Sequence, residues 1–367
     1  MSLLHMLPVW VLVFEYIREI ITFDASGFNC NTGIFIVNKL RLTMEQIKKV
    51  GVLTSGGDAP GMNAALRAVV RTGIYNGFEI FGIKRGYQGM IEGDIIPLNA
   101  ASVSGIIQNG GTIIQTARCK EFFTYEGRKK AYDQLVKFGI NAVIVIGGDG
   151  SFTGAGIMSK EFDIPFIGIP GTIDNDLYGT DYTIGYDTAV NTVVQAVDKI
   201  RDTASSHGRI FFVEVMGKEA GFVALRSGIA CGAEGILVPE ELGQLDRLRS
   251  CLAERAVLKK SSIIMVAEGE EDGGAIVIAR KFREEFPDFD IRTTILGHIQ
   301  RGGSPSAFDR VTATRMGASA IEALLDDQKS VMVGIVNNKM VYVPLNKTVK
   351  LHKDVNHDLL KLAEMLI

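Results

Sequence analysis

From Val50 onward the chain alternates short runs that are apolar on both faces with longer amphipathic stretches. Val50–Thr54 runs into Ser-Gly-Gly-Asp, and Met62–Tyr75 follows with Leu66, Val69, Val70 and Ile74 at helical spacing. The same alternation predicts strands at Ile80–Lys84, Ala142–Ile146, Phe166–Ile169, Ile210–Val215, Gly235–Val238 and Ile263–Ala267. Between them it predicts helices at Gly127–Phe138, Thr188–Ala204, Leu245–Leu258 and Phe308–Leu325. Strands apolar on both faces need cover on both, which is the condition of parallel sheets in α/β proteins. The expected fold is therefore α/β, with two doubly wound, mainly parallel-sheet units. The glycine- and aspartate-rich Thr180–Asp187 is the expected crossing between units, and Gly302–Ser306 the return. This assigns 44–184 plus about 300–345 to one domain, and about 185–299 plus 346–367 to the other.

Residues 1–43 break the pattern. The apolar run Leu3–Phe14 is about 12 residues, short of the roughly 20 that span a bilayer. It lacks the cationic start and small-residue cleavage site of a signal peptide. Regular patterning begins at Met44, so 1–43 reads as an extension, unstructured or a mis-assigned start. Trp10, the only tryptophan, lies within it. A chain beginning at Met44 would have no tryptophan absorbance and the correspondingly lower mass.

Composition narrows the class. Lys and Arg number 39 against 42 Asp and Glu, a net charge of −3, with 47% hydrophobic and 22% charged residues. That balance fits a globular protein and offers no broad field for nucleic acid or an anionic membrane. Cys30, Cys119, Cys231 and Cys251 form no C-x-x-C pair, and the five histidines no zinc spacing, so a reducing cytoplasm is expected. Glycine, at 41 of 367 residues, exceeds its usual share of about 7% and concentrates at predicted strand ends, where doubly wound folds bind ligands.

Four such strand ends carry candidate chemistry. Thr54-Ser55-Gly56-Gly57-Asp58-Ala59-Pro60-Gly61 leads from a strand to a helix N-terminus, a natural phosphate site, although it matches neither G-x-G-x-x-G nor the Walker A pattern. Ile146-Gly147-Gly148-Asp149-Gly150-Ser151 places one carboxylate at a strand tip, suited either to Mg²⁺ held with nucleotide phosphates or to simple helix capping. Pro170-Gly171-Thr172-Ile173-Asp174-Asn175-Asp176 pairs two carboxylates for proton abstraction and positioning, or makes an Asx-turn cluster. Arg292–Gly303 combines Arg292, His298 and Arg301 around a glycine-rich end that suits a sugar phosphate. Arg118, Arg209 and the Val215-Met216-Gly217-Lys218 turn add cations at loop positions.

In this order and spacing, from about Lys49 to near the C-terminus, these segments resemble the ATP-dependent 6-phosphofructokinase family of bacterial type. The resemblance implies transfer of the γ-phosphoryl of Mg-ATP to the 1-hydroxyl of fructose 6-phosphate. The active site would lie in the cleft between an ATP-binding domain and a fructose-6-phosphate-binding domain. It implies Asp174 as general base, Asp149 at the Mg²⁺ position, and Thr172, Asp176, Arg118 and Lys218 around the transferring group. The ATP-site pattern falls on Gly57, Tyr87, Arg118, Cys119, Gly148, Asp149, Gly150 and Ser151. The substrate-site pattern falls on Thr172, Ile173, Asp174, Met216, Gly217, Lys218, Glu268, His298 and Arg301. Arg209 and Arg292 match cations that reach a neighbouring subunit's site, so a homotetramer is implied.

Three departures or choices within that pattern carry information. Glycine at 150 and 171, where pyrophosphate-dependent relatives carry Asp and Lys, implies ATP as donor. Lys218 replaces the usual Arg, keeping the charge but not the planar fork. At the separate effector site Arg67, Arg71, Arg201, Glu234 and Lys259 match the family, whereas Ala100, Ala101 and Val257 replace an Arg, an aromatic and a Lys. Control by ADP or phosphoenolpyruvate is accordingly expected to be weak or absent. Competing readings are a pyrophosphate-dependent enzyme, a kinase of the NAD or lipid kinase type suggested by Gly-Gly-Asp-Gly, and a non-catalytic regulatory subunit.

Overall fold

The computed structural model of the chain describes residues 47–241, 243–257 and 261–366. The expectations for 1–43, the Met44 start, Trp10, Cys30 and Lys259 lie outside the described residues.

Every strand and helix predicted from the hydrophobic pattern is present among the described residues, most within a residue or two of the expected bounds, while the helix expected at Thr188–Ala204 runs on to His207. The first part of the chain runs β1 (Lys49–Thr54), α1 (Met62–Tyr75), β2 (Glu79–Ile83), α2 (Gly86–Glu92), β3 (Ile95–Leu98) and α3 (Tyr125–Phe138). It continues with β4 (Ala142–Gly147), α4 (Asp149–Phe162), β5 (Phe166–Pro170) and the long α5 (Tyr186–His207). Then follow β6 (Ile210–Val215), α6 (Phe222–Cys231), β7 (Gly235–Leu237), α7 (Gln244–Val257), β8 (Ser262–Ala267), α8 (Gly274–Glu285) and β9 (Ile291–Ile295). The chain closes with α9 (Ala307–Leu325), β10 (Val331–Val336), β11 (Lys339–Pro344), α10 (Leu345–Lys350) and α11 (His357–Leu366).

The strands form two sheets. The larger has seven strands in the order β11-β10-β5-β4-β1-β2-β3, and the smaller has four, β7-β8-β6-β9. Pairing is parallel except at the two edges of the larger sheet, where β3 and β11 run antiparallel. Those edges were not legible in the pattern. β3 contains Pro97, which only an edge strand tolerates. β11 follows a tight turn at Asn337 and Asn338, both with positive φ (49° and 62°), as a short hairpin requires. β9, also unpredicted, is a half-exposed edge strand of the smaller sheet in which Arg292 breaks the apolar run.

Alternate residues of the central strands serve opposite cores, which is why the strands read as continuously apolar. Ile144 and Ile146 of β4 pack with Leu66, Val69 and Met316, while Val143 and Val145 pack with Leu135, Phe152 and Met158. In the smaller sheet Val213 and Val215 face Val193, Val197 and Leu225, and Ile210 and Phe212 face Leu248, Leu252, Ile278 and Phe282. Each fully buried side chain of this size contributes about 1.5–3 kcal/mol.

The chain leaves the first sheet through α5 and returns through α9. These two helix starts cap each other. Asp309 of α9 accepts hydrogen bonds from the Gly185 and Thr188 amides (3.0 and 2.8 Å) and the Thr188 hydroxyl (2.5 Å), replacing a cap that α5 lacks from its own N-cap residue. In return the Ser306 amide donates to Thr188 Oγ1 at 3.0 Å, and the Ser306 hydroxyl to Asp187 at 2.6 Å. α9 then lies against α1 so closely that a Cβ at Gly317 would come within 2.6 Å of the Ala65 carbonyl oxygen. Among the described residues no helix is long and apolar enough to cross a membrane.

Candidate active site

The loops after β1, β4 and β5 are neighbours because those strands are adjacent in the sheet. The irregular segment between β3 and α3 is stapled onto the first of them. Thr54 Oγ1 donates to the Gln115 carbonyl (2.9 Å), and Thr116 Oγ1 to the Gly56 carbonyl (2.9 Å). The buried Asn63 holds the carbonyls of Asn109 and Gly110, each at 3.1 Å, and the amide of Ile113 at 2.9 Å. These bonds carry Arg118 and Cys119 alongside the glycine turn. Arg118 is exposed with no ion pair among the described residues, and burial pushes the Cys119 thiol up. A Cβ at Gly57 would come 2.4 Å from Nη1 of Arg301, which itself reaches the Asp58 carbonyl at 3.4 Å, so a side chain there would displace that guanidinium.

Asp149 is the first residue of α4, with Gly148 rather than Asp149 at the N-cap. Its carboxylate therefore stands at a helix N-terminus whose first amides have no intrahelical acceptor. Tyr87 braces this turn. Its ring stacks on Phe122 at 3.9 Å, its hydroxyl donates to the Ser151 carbonyl at 2.6 Å, and burial pushes its phenol far up. What Tyr87 offers a ligand is thus the shape of the wall behind α4. Gly150 faces open space, whereas a Cβ at Gly171 would press on Ile146 and Met62 at 3.0 and 3.1 Å.

The β5 loop is the most tightly determined. Asn175 adopts a left-handed conformation (φ 56°), which asparagine tolerates better than most residues. Its Oδ1 accepts from the Thr183 amide at 2.9 Å and its Nδ2 donates to the Asp181 carbonyl at 3.2 Å, so the loop closes on itself. The Thr183 hydroxyl adds a bond to the Thr172 carbonyl at 2.6 Å, and Thr172 Oγ1 accepts from the Asp174 amide at 3.2 Å. Ile173 is fully buried in the core, leaving only its main chain for a ligand. Asp174 is buried at 8% exposure, and its Oδ1 has no hydrogen-bond partner. Burial, then the negative charge of Asp174, raises the pKa of Asp176; Lys218 opposes that shift and Asp149 adds to it.

Residues from the smaller sheet complete the neighbourhood. Gly217 (φ 154°) and Lys218 (φ 59°) form a strained turn after β6, and Glu268 Oε1 accepts both of their amides, at 3.3 and 2.6 Å. His298 and Arg301 sit on a short 3-10 helix, Gly297–Arg301. Gln300 of that helix is fully buried and accepts the Met216 amide at 3.1 Å, tying the two segments together. Arg209 and Arg292 stand apart. Both pair with Asp290, at 2.6 and 2.7 Å, and together they depress its pKa. They lie where β6 and β9 begin, so the length of β6, roughly 17 Å at about 3.3 Å per residue, separates them from the Gly217–Lys218 turn.

The remaining candidates are dispersed. Arg67 and Arg71 lie on α1. Arg201 pairs with Glu234 at 3.3 Å and also closes the end of α6 through the Cys231 and Gly232 carbonyls. Gln300, Asn175, Thr183, Asn63 and Asp309 all organise the site without having been singled out from the sequence. Asn175 alone carried a local signal, an asparagine in a glycine-poor turn between two aspartates.

Residues 49–324 match the sequence model of the phosphofructokinase family. ATP-dependent 6-phosphofructokinase 2 of Bacteroides thetaiotaomicron is 56% identical over 324 residues, covering 88% of this chain and 99% of the relative. ATP-dependent 6-phosphofructokinase 1 of Thermus thermophilus is 54% identical over 321 residues, covering 87% and 99%. Among solved structures, phosphofructokinase from Saccharomyces cerevisiae superposes with a TM-score of 0.78 at 39% identity; 83% of this chain covers 45% of that longer one. A pyrophosphate-dependent phosphofructokinase from Marinobacter aquaeolei, at 20% identity and a TM-score of 0.77, shares the fold over 88% of this chain and 92% of its own. On the fold, the order of its strand-end loops and these relatives, the chain belongs to the phosphofructokinase family.

Proposed function

We propose that the protein is an ATP-dependent 6-phosphofructokinase, moving the γ-phosphoryl of ATP to the 1-hydroxyl of fructose 6-phosphate. The observation that carries this reading is the buried, unpartnered Asp174 Oδ1 on a rigid loop beside Asp149, Asp176 and Lys218. A carboxylate oxygen with no protein donor is an acceptor held ready for a substrate hydroxyl, the geometry that a general base needs. Phosphoryl transfer leaves the protein mainly positioning and charge neutralisation. Arg118 and Lys218 would offset charge on the transferring group, the glycine turns would admit phosphates close to the backbone, and Glu268 would hold the Lys218 turn in shape. The crowding of carboxylates suits a divalent cation. Yet no group of three potential ligand side chains able to hold a metal exists among the described residues. Asp149 would therefore hold Mg²⁺ jointly with nucleotide phosphates and water, and the bound ion would supply charge neutralisation at the phosphates.

Other parts of the reading have separate support. A division into an ATP domain built on the larger sheet and a sugar-phosphate domain built on the smaller follows the two sheets, each with its own pair of cores. Arg209 and Arg292, held by Asp290 at the far end of the smaller sheet, suit service to a neighbouring subunit within a homotetramer. The engagement of Arg201 by Glu234 and two carbonyls leaves less free charge for ADP or phosphoenolpyruvate, in keeping with weak effector control. Free thiols at Cys119 and Cys231 fit a cytoplasmic enzyme. Initial rates with fructose 6-phosphate and Mg²⁺, with ATP or pyrophosphate in parallel, test the proposal. Turnover with ATP alone is expected. Turnover with pyrophosphate would overturn the donor assignment, and silence with both the activity itself.

A further inference from the structure

The segment between α10 and α11 crosses the back of the Asp174 loop. His352 pairs with Leu177 in an isolated antiparallel bridge, and the next residue, Lys353, donates from Nζ to the Asp181 carbonyl at 2.9 Å. That carbonyl is the one that also receives Asn175 Nδ2 at 3.2 Å, and Asn175 is the residue between Asp174 and Asp176. Asp181 is otherwise fixed from the opposite side, its amide on the Ile335 carbonyl at 2.7 Å and its Oδ2 on the Asn337 amide at 2.8 Å. Beyond Lys353 the segment is anchored by Val355, Leu359 and Leu360 in the core of the smaller sheet.

We propose that Lys353 is a positioning residue for phosphoryl transfer, holding the Asp174–Asp176 strip in register through the shared Asp181 carbonyl; this rests on Asp174 acting as the base. A purely structural crosslink here would be better made by a neutral donor. Instead an ammonium is half-buried, 5.1 Å from the Phe222 ring centre, on the wall of a cavity of about 260 Å³. An ammonium withdrawn from water is costly unless carboxylates and carbonyls compensate it. The groups facing Lys353 are Asp176, Asp181 and Tyr182 from the loop, Tyr186 at the start of α5, Arg226 from α6, and Asp354 from its own segment. Burial pulls the Lys353 pKa down to about 8, against the attraction of Asp181 and Asp176. The charge is therefore present at neutral pH and lost as pH rises through about 8.

Steady-state kinetics and amide hydrogen exchange on the full chain test this, using Lys353→Met, Lys353→Arg and Asp174→Asn. K353M is expected to lower kcat about tenfold with KM for fructose 6-phosphate within about twofold, since loss of register misplaces the reacting groups without removing a substrate contact. Amides 174–183 should exchange faster, and K353R should restore most of kcat. The wild-type rate should decline above pH about 8, a limb that arginine moves out of range. Wild-type kcat in K353M, with or without faster exchange, overturns the proposal. Should K353M not fold, an alkaline limb identical in K353R and wild type overturns it instead. D174N separates the two assignments: a wild-type rate there removes the base and this proposal with it, whereas an inactive D174N beside a fully active K353M removes the positioning role alone.

Discussion

Replacing Asp309 by alanine should weaken the whole chain, because this one carboxylate closes the start of α5 from another helix. It is fully buried and holds two amides and a hydroxyl, at 3.0, 2.8 and 2.5 Å. Alanine leaves the Gly185 and Thr188 amides buried without acceptors, at about 1–3 kcal/mol each, and removes a negative charge from a helix N-terminus, together about 3–5 kcal/mol. Asparagine keeps one acceptor oxygen but turns an NH2 donor toward the other backbone N–H, so it should recover only part of that loss. The pH dependence distinguishes the carboxylate from its shape. Burial raises the Asp309 pKa from 3.8 to about 6. The folded chain then takes up a proton as pH falls through about 6, before the unfolded chain does. Relative stability from this group is thus greatest below the unfolded pKa and is lost as pH rises through the folded one. Wild type should gain on D309N between pH 7 and pH 4, by up to about 3 kcal/mol for a shift of this size. Urea unfolding followed by circular dichroism at several pH values measures both effects. A D309A chain within about 1 kcal/mol of wild type, or a wild-type-to-D309N difference that does not change with pH, would refute the reasoning.

Other predictions concern the site itself. Asp174→Ser should lower kcat at least about 10²-fold with little change in KM, read from saturation kinetics at fixed Mg²⁺. Gly57→Ala places a methyl 2.4 Å from Arg301 Nη1, so Arg301 must swing away; KM for fructose 6-phosphate should rise about tenfold while thermal stability holds. A Cβ added at Gly150 meets no protein atom within 4 Å, so for Gly150→Asp the melting temperature should stay put while the rate with ATP falls at least about tenfold by charge repulsion; unchanged ATP turnover would leave the donor argument without its physical basis.

Most segments of uniform environment were placed from their sequence, although β10, apolar and buried on both faces, was not. The strands of both sheets have cover on each face, so every residue in them answers to the same demand and the apolar run is visible by inspection. The edge strands β3, β9 and β11 are not so placed, because an edge meets water on one side and tolerates Pro97 or Arg292. The carboxylates proposed for the site were visible for a similar reason: Asp149, Asp174 and Asp176 follow the ends of recognisable strands.

What could not be read was which residues hold those groups in place, since they act across long separations. Asp309 caps a helix that begins at residue 186, Gln300 fixes the turn at Met216, and Lys353 reaches the carbonyl of Asp181. Asp309 and Lys353 are polar side chains with no neighbouring motif, and Gln300, though it lies between His298 and Arg301, carries nothing in sequence that marks it as buried. Local propensity and hydrophobic pattern determined the elements and the order of the strand-end loops. Only the folded chain decided which buried donors find which acceptors, because that pairing is set by the crossing of α5 and α9 and the return of the C-terminal segment, and by nothing within any one of them.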